Sequence, residues 1–179
     1  YLDVLFLLRG TTHQDKFPYQ KEQSSSVEIN ESENRRLDGI WNYTDVDNLN
    51  TDQMFAGNLT YNVLSSDGEA IMPHLFEGFD KNFRKNVSAG DIILAGDNFG
   101  CGSSREHPAV GLAYAGVKAV IVKSVNRIFY RSAINQGLLL IVNREIVDAY
   151  KAGDSLSVDF EHGIAKLNDQ EFKIPPLPE

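Results

Sequence analysis

The fold of this chain is decided by one glycine-rich stretch, which reads Gly96-Asp97-Asn98-Phe99-Gly100-Cys101-Gly102-Ser103-Ser104-Arg105-Glu106-His107. The apolar residues 91–95 before it are typical of a buried strand, and the small residues 109–116 after it are typical of a helix. Proline is tolerated only in the first turn of a helix, so Pro108 predicts that this helix begins between Arg105 and His107. Ser103 and Ser104 are then expected at its N-terminal cap.

A strand, a glycine-rich loop and a helix N-terminus together predict an anion site. Glycines such as Gly100 and Gly102 let the backbone approach a ligand closely, and the N–H groups and dipole of the helix favour negative charge. Each residue alone has a simpler interpretation. A Ser-Ser pair before a helix is commonly only a cap, and a lone cysteine such as Cys101 is more often a small buried hydrophobe than a nucleophile.

Composition narrows the class of protein and the class of ligand. A chain of 179 residues is long enough for one domain with its own core. The net charge of −8 argues against non-specific binding to nucleic acid or to an anionic membrane, so a small anionic substrate must be bound by local groups. Cys101 is the single cysteine, which excludes an intramolecular disulfide and a self-contained iron–sulfur cluster. It also fits a reducing compartment, so we expect a cytoplasmic protein.

The first 38 residues carry little of the periodicity that predicts packed elements. Residues 1–8 are apolar but too short to span a membrane, and no basic segment or small-residue cleavage site accompanies them, so we expect no signal peptide. Residues 9–37 are polar and predict a loop or a partly disordered linker. We therefore predict an N-terminal extension over residues 1–38 and a folded domain over residues 39–179.

Apolar runs in that domain predict four strands, at residues 39–43, 91–95, 118–123 and 138–142. The continuous run at 118–123 is typical of a strand buried on both faces of a parallel sheet. Residues 124–137 predict a capped helix, and residues 71–83 have roughly helical spacing. The fold class is therefore predicted as α/β, with a central, largely parallel sheet flanked by helices.

Additional strands are expected near the end of the chain. Residues 155–160 and 163–167 alternate like the two strands of a hairpin, with Glu161, His162 and Gly163 in the turn. Residues 175–178 predict an extended, proline-rich tail.

The string from Gly100 to His107, Gly-x-Gly-Ser-Ser-Arg-Glu-His, resembles the signature of the swivelling domain of the aconitase superfamily. Within that superfamily, residues 98–106 are most similar to the small subunits of 3-isopropylmalate dehydratases, and residues 124–131 resemble a second segment of the same family. The resemblance implies an aconitase-type swivelling β/β/α domain. It implies a hydro-lyase that isomerises 2-isopropylmalate to 3-isopropylmalate in leucine biosynthesis, by removing water and adding it back in the opposite sense.

The resemblance also implies a partner and a cofactor. The chain is too short for the multi-domain body of such an enzyme, so it would be active only with a large subunit. That large subunit would carry the [4Fe–4S] cluster, and this chain would bind no metal.

Several residues take roles from the same resemblance. Ser103 corresponds to the family's alkoxide base, Arg105 to a residue that grips a substrate carboxylate, and Ser104 to a hydrogen-bond donor to that carboxylate. Gly100 and Gly102 correspond to the anion loop. A serine is a poor base unless its anion is stabilised, and N–H groups, a helix N-terminus and Arg105 are the means available.

Residues 44–57 are rich in Asp, Asn and Gly, and they predict turns. They also resemble the family's Asp-x-x-x-Thr-Asp-x-x-x-x-Gly segment. In that segment Asp52 falls on an acidic position that, by the resemblance, helps to orient catalytic groups across the subunit boundary.

The family's substrate-specificity loop follows Gly57, and here it reads Asn58-Leu59-Thr60-Tyr61. Homoaconitase-like relatives carry an arginine at the third position for a distal carboxylate, whereas Thr60 has no charge. Leu59 or Tyr61 could cover a branched apolar group, which gains affinity by leaving water. These residues favour isopropylmalate, but Asn58 stands where tyrosine is usual. Homoaconitate, aconitate, citrate and methylmalate-type substrates therefore remain open.

Two simpler alternatives remain at this point. The loop at residues 58–61 could be only a surface turn. The chain could also be a non-catalytic module for anion binding or protein interaction, because its N-terminal extension is unlike that of ordinary small subunits.

Overall fold

The computed structural model describes residues 28–175, and a five-stranded sheet with the order β1-β2-β3-β4-β5 lies at its centre. Strands β2 to β5 are parallel, and β1 pairs antiparallel with β2 at one edge. The strands are β1 (Arg36–Leu37), β2 (Ile40–Tyr43), β3 (Ile92–Ala95), β4 (Ala119–Val122) and β5 (Leu140–Val142). The largely parallel sheet is confirmed, with β2 to β5 at the four predicted apolar runs.

A second sheet of three antiparallel strands follows the first. Its strands are β6 (Leu156–Asp159), β7 (Ile164–Leu167) and β8 (Gln170–Lys173). Strands β6 and β7 form the predicted hairpin, and their residues pair in register from Leu156 with Leu167 to Asp159 with Ile164. The sequence interpretation missed β8, because Phe172 is the only buried side chain in that strand and gives little alternation. Of the predicted tail at residues 175–178, only Pro175 lies within the described residues.

Short helices connect the strands within residues 28–175. They are α1 (Thr51–Met54), α2 (Gly68–Ile71), α3 (Lys81–Asn86), α4 (His107–Tyr114), α5 (Arg127–Asn135) and α6 (Arg144–Ala149), with 3₁₀ helices at Gly57–Tyr61 and Met72–His74. The predicted helices after the glycine loop and after β4 are confirmed as α4 and α5. Asn126 caps α5 by accepting a hydrogen bond from the Ile128 N–H at 3.0 Å.

The helical spacing predicted across residues 71–83 is wrong as a single helix. The chain instead forms the end of α2, a 3₁₀ turn, further turns and the start of α3. Pro73 has no N–H and would break a helix that continued through it. Phe76 has a φ of 57°, in the left-handed region that also ends a right-handed helix.

Adjacent residues of the central strands point into two separate cores. On one face, Trp41, Ile93 and Val120 pack with the buried side chains of the helices, including Phe83 and Leu112. On the other face, residues such as Ile92 and Ile121 pack with α6 and the three-stranded sheet, represented by Ile146, Val158 and Ala165. Strands β3 and β4 are buried along their whole length, as the continuous apolar runs predicted. The layers are therefore helices, parallel sheet and antiparallel sheet.

Part of the predicted N-terminal extension takes part in this architecture. Ile29 is 7% exposed within the helix-side core, and its N–H donates to the Phe79 carbonyl at 2.8 Å. The pairing of β1 with β2 differs from the loop predicted for residues 36 and 37. The domain boundary at residue 39 stays a prediction, and the calls on residues 1–8 and on the rest of the polar segment before residue 28 lie outside the described residues.

The buried carboxylate of Asp91 forms hydrogen bonds with side chains of both β1 and β2. Asp91 is 2% exposed, and it accepts hydrogen bonds from Arg36 Nε and Nη2, Trp41 Nε1 and the Ser88 N–H at 2.9–3.0 Å. Burial opposes its ionisation, but these donors together hold the pKa of the Asp91 carboxyl below its ordinary value of 3.8. The ionised group therefore stabilises the folded chain.

We expect Asp91→Asn to lower the free energy of unfolding by about 1–3 kcal/mol at pH 7, because buried donors lose an acceptor. A carboxyl with a lowered folded pKa contributes its full stability above the unfolded pKa and loses it as pH falls through the folded value. The difference between wild type and variant should therefore shrink below about pH 4. Urea unfolding at pH 7 and pH 3 measures both effects, with the exposed Asp169→Asn as the matched control. A difference that is equal at the two pH values would contradict this account.

Candidate functional site

The glycine-rich loop continues β3 between two neighbouring segments of chain. On one side, the Gly100 N–H donates to the Leu49 carbonyl at 2.8 Å, and the Thr51 N–H donates to the Cys101 carbonyl at 2.9 Å. On the other side, the backbone of Phe99 exchanges hydrogen bonds with Ser124 and Asn126 at 3.1 and 2.9 Å. The loop therefore lies at the carboxyl end of the parallel sheet, where α/β proteins place their ligands.

Two of the loop glycines are required by their surroundings. Gly100 has a φ of 73°, and a Cβ there would overlap the ring of Phe129. Gly102 has a φ of 96° and lies against Thr51, whose Oγ1 would be 3.3 Å from an added Cβ. Both conformations are in the region that favours glycine. The two glycines let the loop turn sharply while it stays packed on α1 and α5.

The turn presents Ser103 and Ser104 to solvent and leaves Arg105 partly buried. The Ser103 carbonyl accepts a hydrogen bond from Thr51 Oγ1 at 2.9 Å, which fixes its backbone to α1. One shallow cleft brings together both glycines that the sequence assigns to the anion loop and the serine that it assigns as the base. It is lined by Gly100, Gly102, Ser103, Ser104 and Arg105, together with Thr51, Asn126, Ile128 and Phe129.

The predicted position of the two serines at the cap of α4 is wrong. Glu106 is the N-cap residue, and its side chain makes no capping hydrogen bond. Pro108 occupies the first turn and has no N–H, so this helix start has one donor fewer to satisfy. The hydroxyls of Ser103 and Ser104 are therefore not used by the helix.

Arg105 reaches across the cleft to the segment that resembles the family's acidic motif. Its Nη1 forms an ion pair with Asp52 Oδ1 and lies 3.4 Å from the Phe55 carbonyl oxygen. Asp52 is in the first turn of α1, where Asn50 and Gln53 form a capping box. The structure thus brings Asp52 and Arg105 together across 53 positions of sequence.

The residues predicted to form the specificity loop have three different environments. The Leu59 side chain packs against the helix-side core, and Thr60 Oγ1 donates to the Gly57 carbonyl at 2.6 Å. Tyr61 is 90% exposed. Of these three side chains, Tyr61 is the most open to a ligand, whereas Leu59 and Thr60 support the 3₁₀ turn.

The sequence interpretation missed three residues that shape this site. Gly57 lies against the Arg105 guanidinium, Thr51 anchors Ser103, and His107 is buried beneath the loop. All three fall within the segments that carry the family resemblance, which was the available signal. Their contacts join residues far apart in sequence, so no local pattern could reveal them.

A second polar cluster at the carboxyl end of the sheet consists of Asp97, Ser124 and Arg144, which bind one another. Asp97 follows β3 and accepts hydrogen bonds from Arg144 Nη2 at 2.6 Å and from Ser124 Oγ at 2.9 Å. The hydrogen bonds from Arg144 and then Ser124 hold the pKa of the Asp97 carboxyl below its ordinary value. This cluster joins the ends of β3, β4 and β5, which indicates a structural role.

Residues 28–175 contain no group of three or more His, Cys, Asp and Glu side chains that could hold a metal ion. Over the same residues, no helix has the length and apolar character needed to cross a membrane.

Comparison with known proteins agrees with this geometry. The family model of the aconitase C-terminal domain matches residues 12–145, which include the glycine-rich loop. The chain therefore belongs to the class of aconitase C-terminal domains. A 3-isopropylmalate dehydratase small subunit of Caldanaerobacter subterraneus subsp. tengcongensis is 42% identical over 135 residues, which are 74% of this chain and 82% of the relative. The chain belongs to the family of 3-isopropylmalate dehydratase small subunits.

Two further comparisons support the same family. A 3-isopropylmalate dehydratase small subunit 1 of Methanopyrus kandleri is 41% identical over 135 residues, covering 74% of this chain and 78% of the relative. A crystal structure of 3-isopropylmalate dehydratase from Methanocaldococcus jannaschii has a TM-score of 0.65 and 38% identity, and the match covers 74% of this chain and 77% of that one. The family resemblance and the predicted α/β fold class are both confirmed.

Proposed function

We propose that this chain is the small subunit of a hydro-lyase that interconverts 2-isopropylmalate and 3-isopropylmalate in leucine biosynthesis. The names of its relatives support the reaction class. The observation that carries the proposal is one shallow cleft whose lining includes both an exposed serine, Ser103, and a partly buried arginine, Arg105. The reaction removes a proton from carbon and a hydroxyl group from its neighbour, and then returns water to the double bond in the opposite sense.

Ser103 is the proposed base for the carbon-bound proton. Ser103 is an exposed residue, and its backbone is held by Thr51, so its hydroxyl is available to a substrate while the loop keeps its path. An alkoxide needs positive potential close by, and the Arg105 guanidinium, which lines the same cleft, is the group proposed to supply it. The proton leaves the substrate carbon for Ser103 Oγ, and the electron pair that it leaves behind forms the new double bond.

Arg105 is the proposed clamp for a substrate carboxylate. Its Nη1 engages Asp52 and the Phe55 carbonyl, whereas Nε and Nη2 have no hydrogen-bond partner within the described part of the chain. A guanidinium held at one nitrogen can still offer two N–H groups to a carboxylate in a bidentate pair. Asp52 therefore orients the clamp, and Ser104, which lines the same cleft, is the proposed second donor to the carboxylate.

The loop after Gly57 is proposed to select the substrate. Thr60 offers no cation for a third carboxylate, and its hydroxyl is already donated to the Gly57 carbonyl. The partly buried Leu59 packs against the core, so the role of covering an apolar branch falls to Tyr61, which is 90% exposed. This favours a 2-alkylmalate over a tricarboxylate substrate such as homoaconitate or citrate.

The iron–sulfur cluster that the resemblance implies does not fit the residues of this chain. A [4Fe–4S] cluster is held by several thiolates, and Cys101 is the single cysteine. We therefore assign the cluster to a large-subunit partner, where it would act as the Lewis acid for the departing hydroxyl group. The chain remains a cytoplasmic subunit in this proposal.

The test is to co-express the chain with the large subunit from the same genome and to assay the purified complex. A panel of hydroxy acids would be added, and the unsaturated intermediate would be followed by ultraviolet absorbance. We expect the highest kcat/KM for 2-isopropylmalate, with lower values for 2-methylmalate, citrate and homocitrate. A complex that isomerises none of these acids would overturn the proposal, and a preference for homocitrate would overturn the role given to Thr60.

We expect Arg105→Lys to raise the KM for 2-isopropylmalate by about 10- to 100-fold, since one ammonium cannot make the bidentate pair. Steady-state kinetics of the complex measure this effect. Arg84→Lys is the matched control, at an arginine of α3 that pairs with Glu77, and it should behave as wild type. An unchanged KM in Arg105→Lys would refute the clamp.

A further inference from the structure

His107 is a buried side chain that the proposed reaction does not use. It is the first residue of α4, follows Arg105 by two positions and is 7% exposed. Its ring stacks on the ring of Phe55, with centroids 4.9 Å apart and planes 9° from parallel. Its Nε2 lies 2.9 Å from the Val63 carbonyl oxygen. A carbonyl only accepts, so Nε2 carries the hydrogen.

The two partners of the His107 ring stand at opposite ends of one segment. Phe55 precedes and Val63 follows residues 56–62, which include the 3₁₀ turn of the specificity loop. The Phe55 carbonyl also lies 3.4 Å from Arg105 Nη1, and the Val63 N–H donates to the Leu59 carbonyl at 3.0 Å. One ring therefore joins the start of the loop, the end of the loop and the helix that follows Arg105.

The second ring nitrogen indicates what kind of role His107 has. Nδ1 is buried and has no hydrogen-bond partner within residues 28–175. A proton relay needs a partner at each nitrogen, whereas a fixed support needs only the stacked face and one donor. The geometry is that of a support.

We propose that His107 is a positioning residue that closes the base of the loop at residues 56–62 and thereby fixes Tyr61 relative to Arg105. This inference rests on the proposed function, since the loop is taken to cover the alkyl group of the substrate. Loss of the Nε2 donor leaves the Val63 carbonyl without its partner, and the loop end is released while Ser103 and Arg105 stay in place. Loss of the His107 donor should therefore change how well the enzyme distinguishes substrates with different alkyl groups.

The kinetic test uses the complex with the large subunit and two variants. His107→Phe keeps the stacked ring and removes the donor, and His107→Gln restores a side-chain N–H. For His107→Phe we expect the KM for 2-isopropylmalate to rise about tenfold, the KM for 2-methylmalate to change less than threefold, and kcat to stay within threefold. His107→Gln should recover part of the preference for 2-isopropylmalate over 2-methylmalate. Equal KM changes for the two substrates, or no change, would overturn the proposal.

A second measurement does not depend on catalysis. Amide hydrogen exchange of the full chain should be at least about tenfold faster across residues 56–62 in His107→Phe than in wild type, while β3 and β4 keep their protection. Circular dichroism checks that the variant is folded. Equal exchange in the loop would refute the positioning role even if the complex is active. Faster exchange in a chain whose complex isomerises no hydroxy acid would support the positioning role and reject the proposed function.

Discussion

Ser103→Ala is expected to lower kcat for 2-isopropylmalate by about 10²- to 10⁴-fold, the usual contribution of a positioned base, and to leave KM within about threefold. Ser103 is an exposed residue that lines the cleft, so removal of its hydroxyl should leave the buried core unchanged. The backbone carbonyl of residue 103 would still accept the hydrogen bond from Thr51, so the loop should keep its path. Initial rates and substrate titrations of the complex measure the two constants separately.

Two further serine variants test whether this loss of turnover is specific to Ser103. Ser157→Ala changes an exposed serine in β6 and should be indistinguishable from wild type. Ser104→Ala removes a donor to the carboxylate and should raise KM more than it lowers kcat. Near-normal turnover in Ser103→Ala would remove the proposed base. A loss of kcat in Ser104→Ala that matched the loss in Ser103→Ala would show that the roles of the two serines are not separable in this way.

Local patterns predicted those parts of the molecule that local interactions determine. The continuous apolar runs predicted β3 and β4, because strands buried on both faces admit almost no polar residue. Pro108 located the start of α4, because a proline excludes every helix position beyond the first turn. In both cases the residues themselves restrict the structure, the apolar run through its burial and the proline through its backbone.

Contacts between distant segments could not be predicted in the same way. The partner of Arg105 is Asp52, and the partner of His107 is the Val63 carbonyl, 44 positions away. The resemblance suggested an orienting role for Asp52, but no periodicity pairs it with Arg105. Leu59 could not be assigned from sequence for the same reason, because an apolar residue in a loop can cover a ligand or anchor the loop. Here it is partly buried and packs against the core.

Gly57 lies against the ion pair between Arg105 and Asp52, so a side chain at this position should disturb the carboxylate clamp. A Cβ added at Gly57 would lie 2.7 Å from Arg105 Nη2, and 3.0 Å from Arg105 Nη1 and from Asp52 Oδ1. These atoms are the ends of flexible side chains, so the chain can relieve the overlap by moving them. The guanidinium would then leave the position in which Asp52 holds it. Folding should be little affected, whereas the geometry of the clamp should be lost.

We therefore expect Gly57→Ala to lower kcat/KM for 2-isopropylmalate by about 10²-fold, which is the scale of the loss when a substrate-binding group is displaced by about 1 Å. Thermal unfolding of the same variant should stay close to wild type. Gly78→Ala is the matched control, because a Cβ at Gly78 meets no atom within 4 Å. It should leave activity unchanged and could only stabilise the chain slightly, through the lower entropy of the unfolded state. If Gly57→Ala lost stability and activity in parallel, Gly57 would be serving the fold; if it kept wild-type kinetics, Arg105 would not need the position that Asp52 gives it.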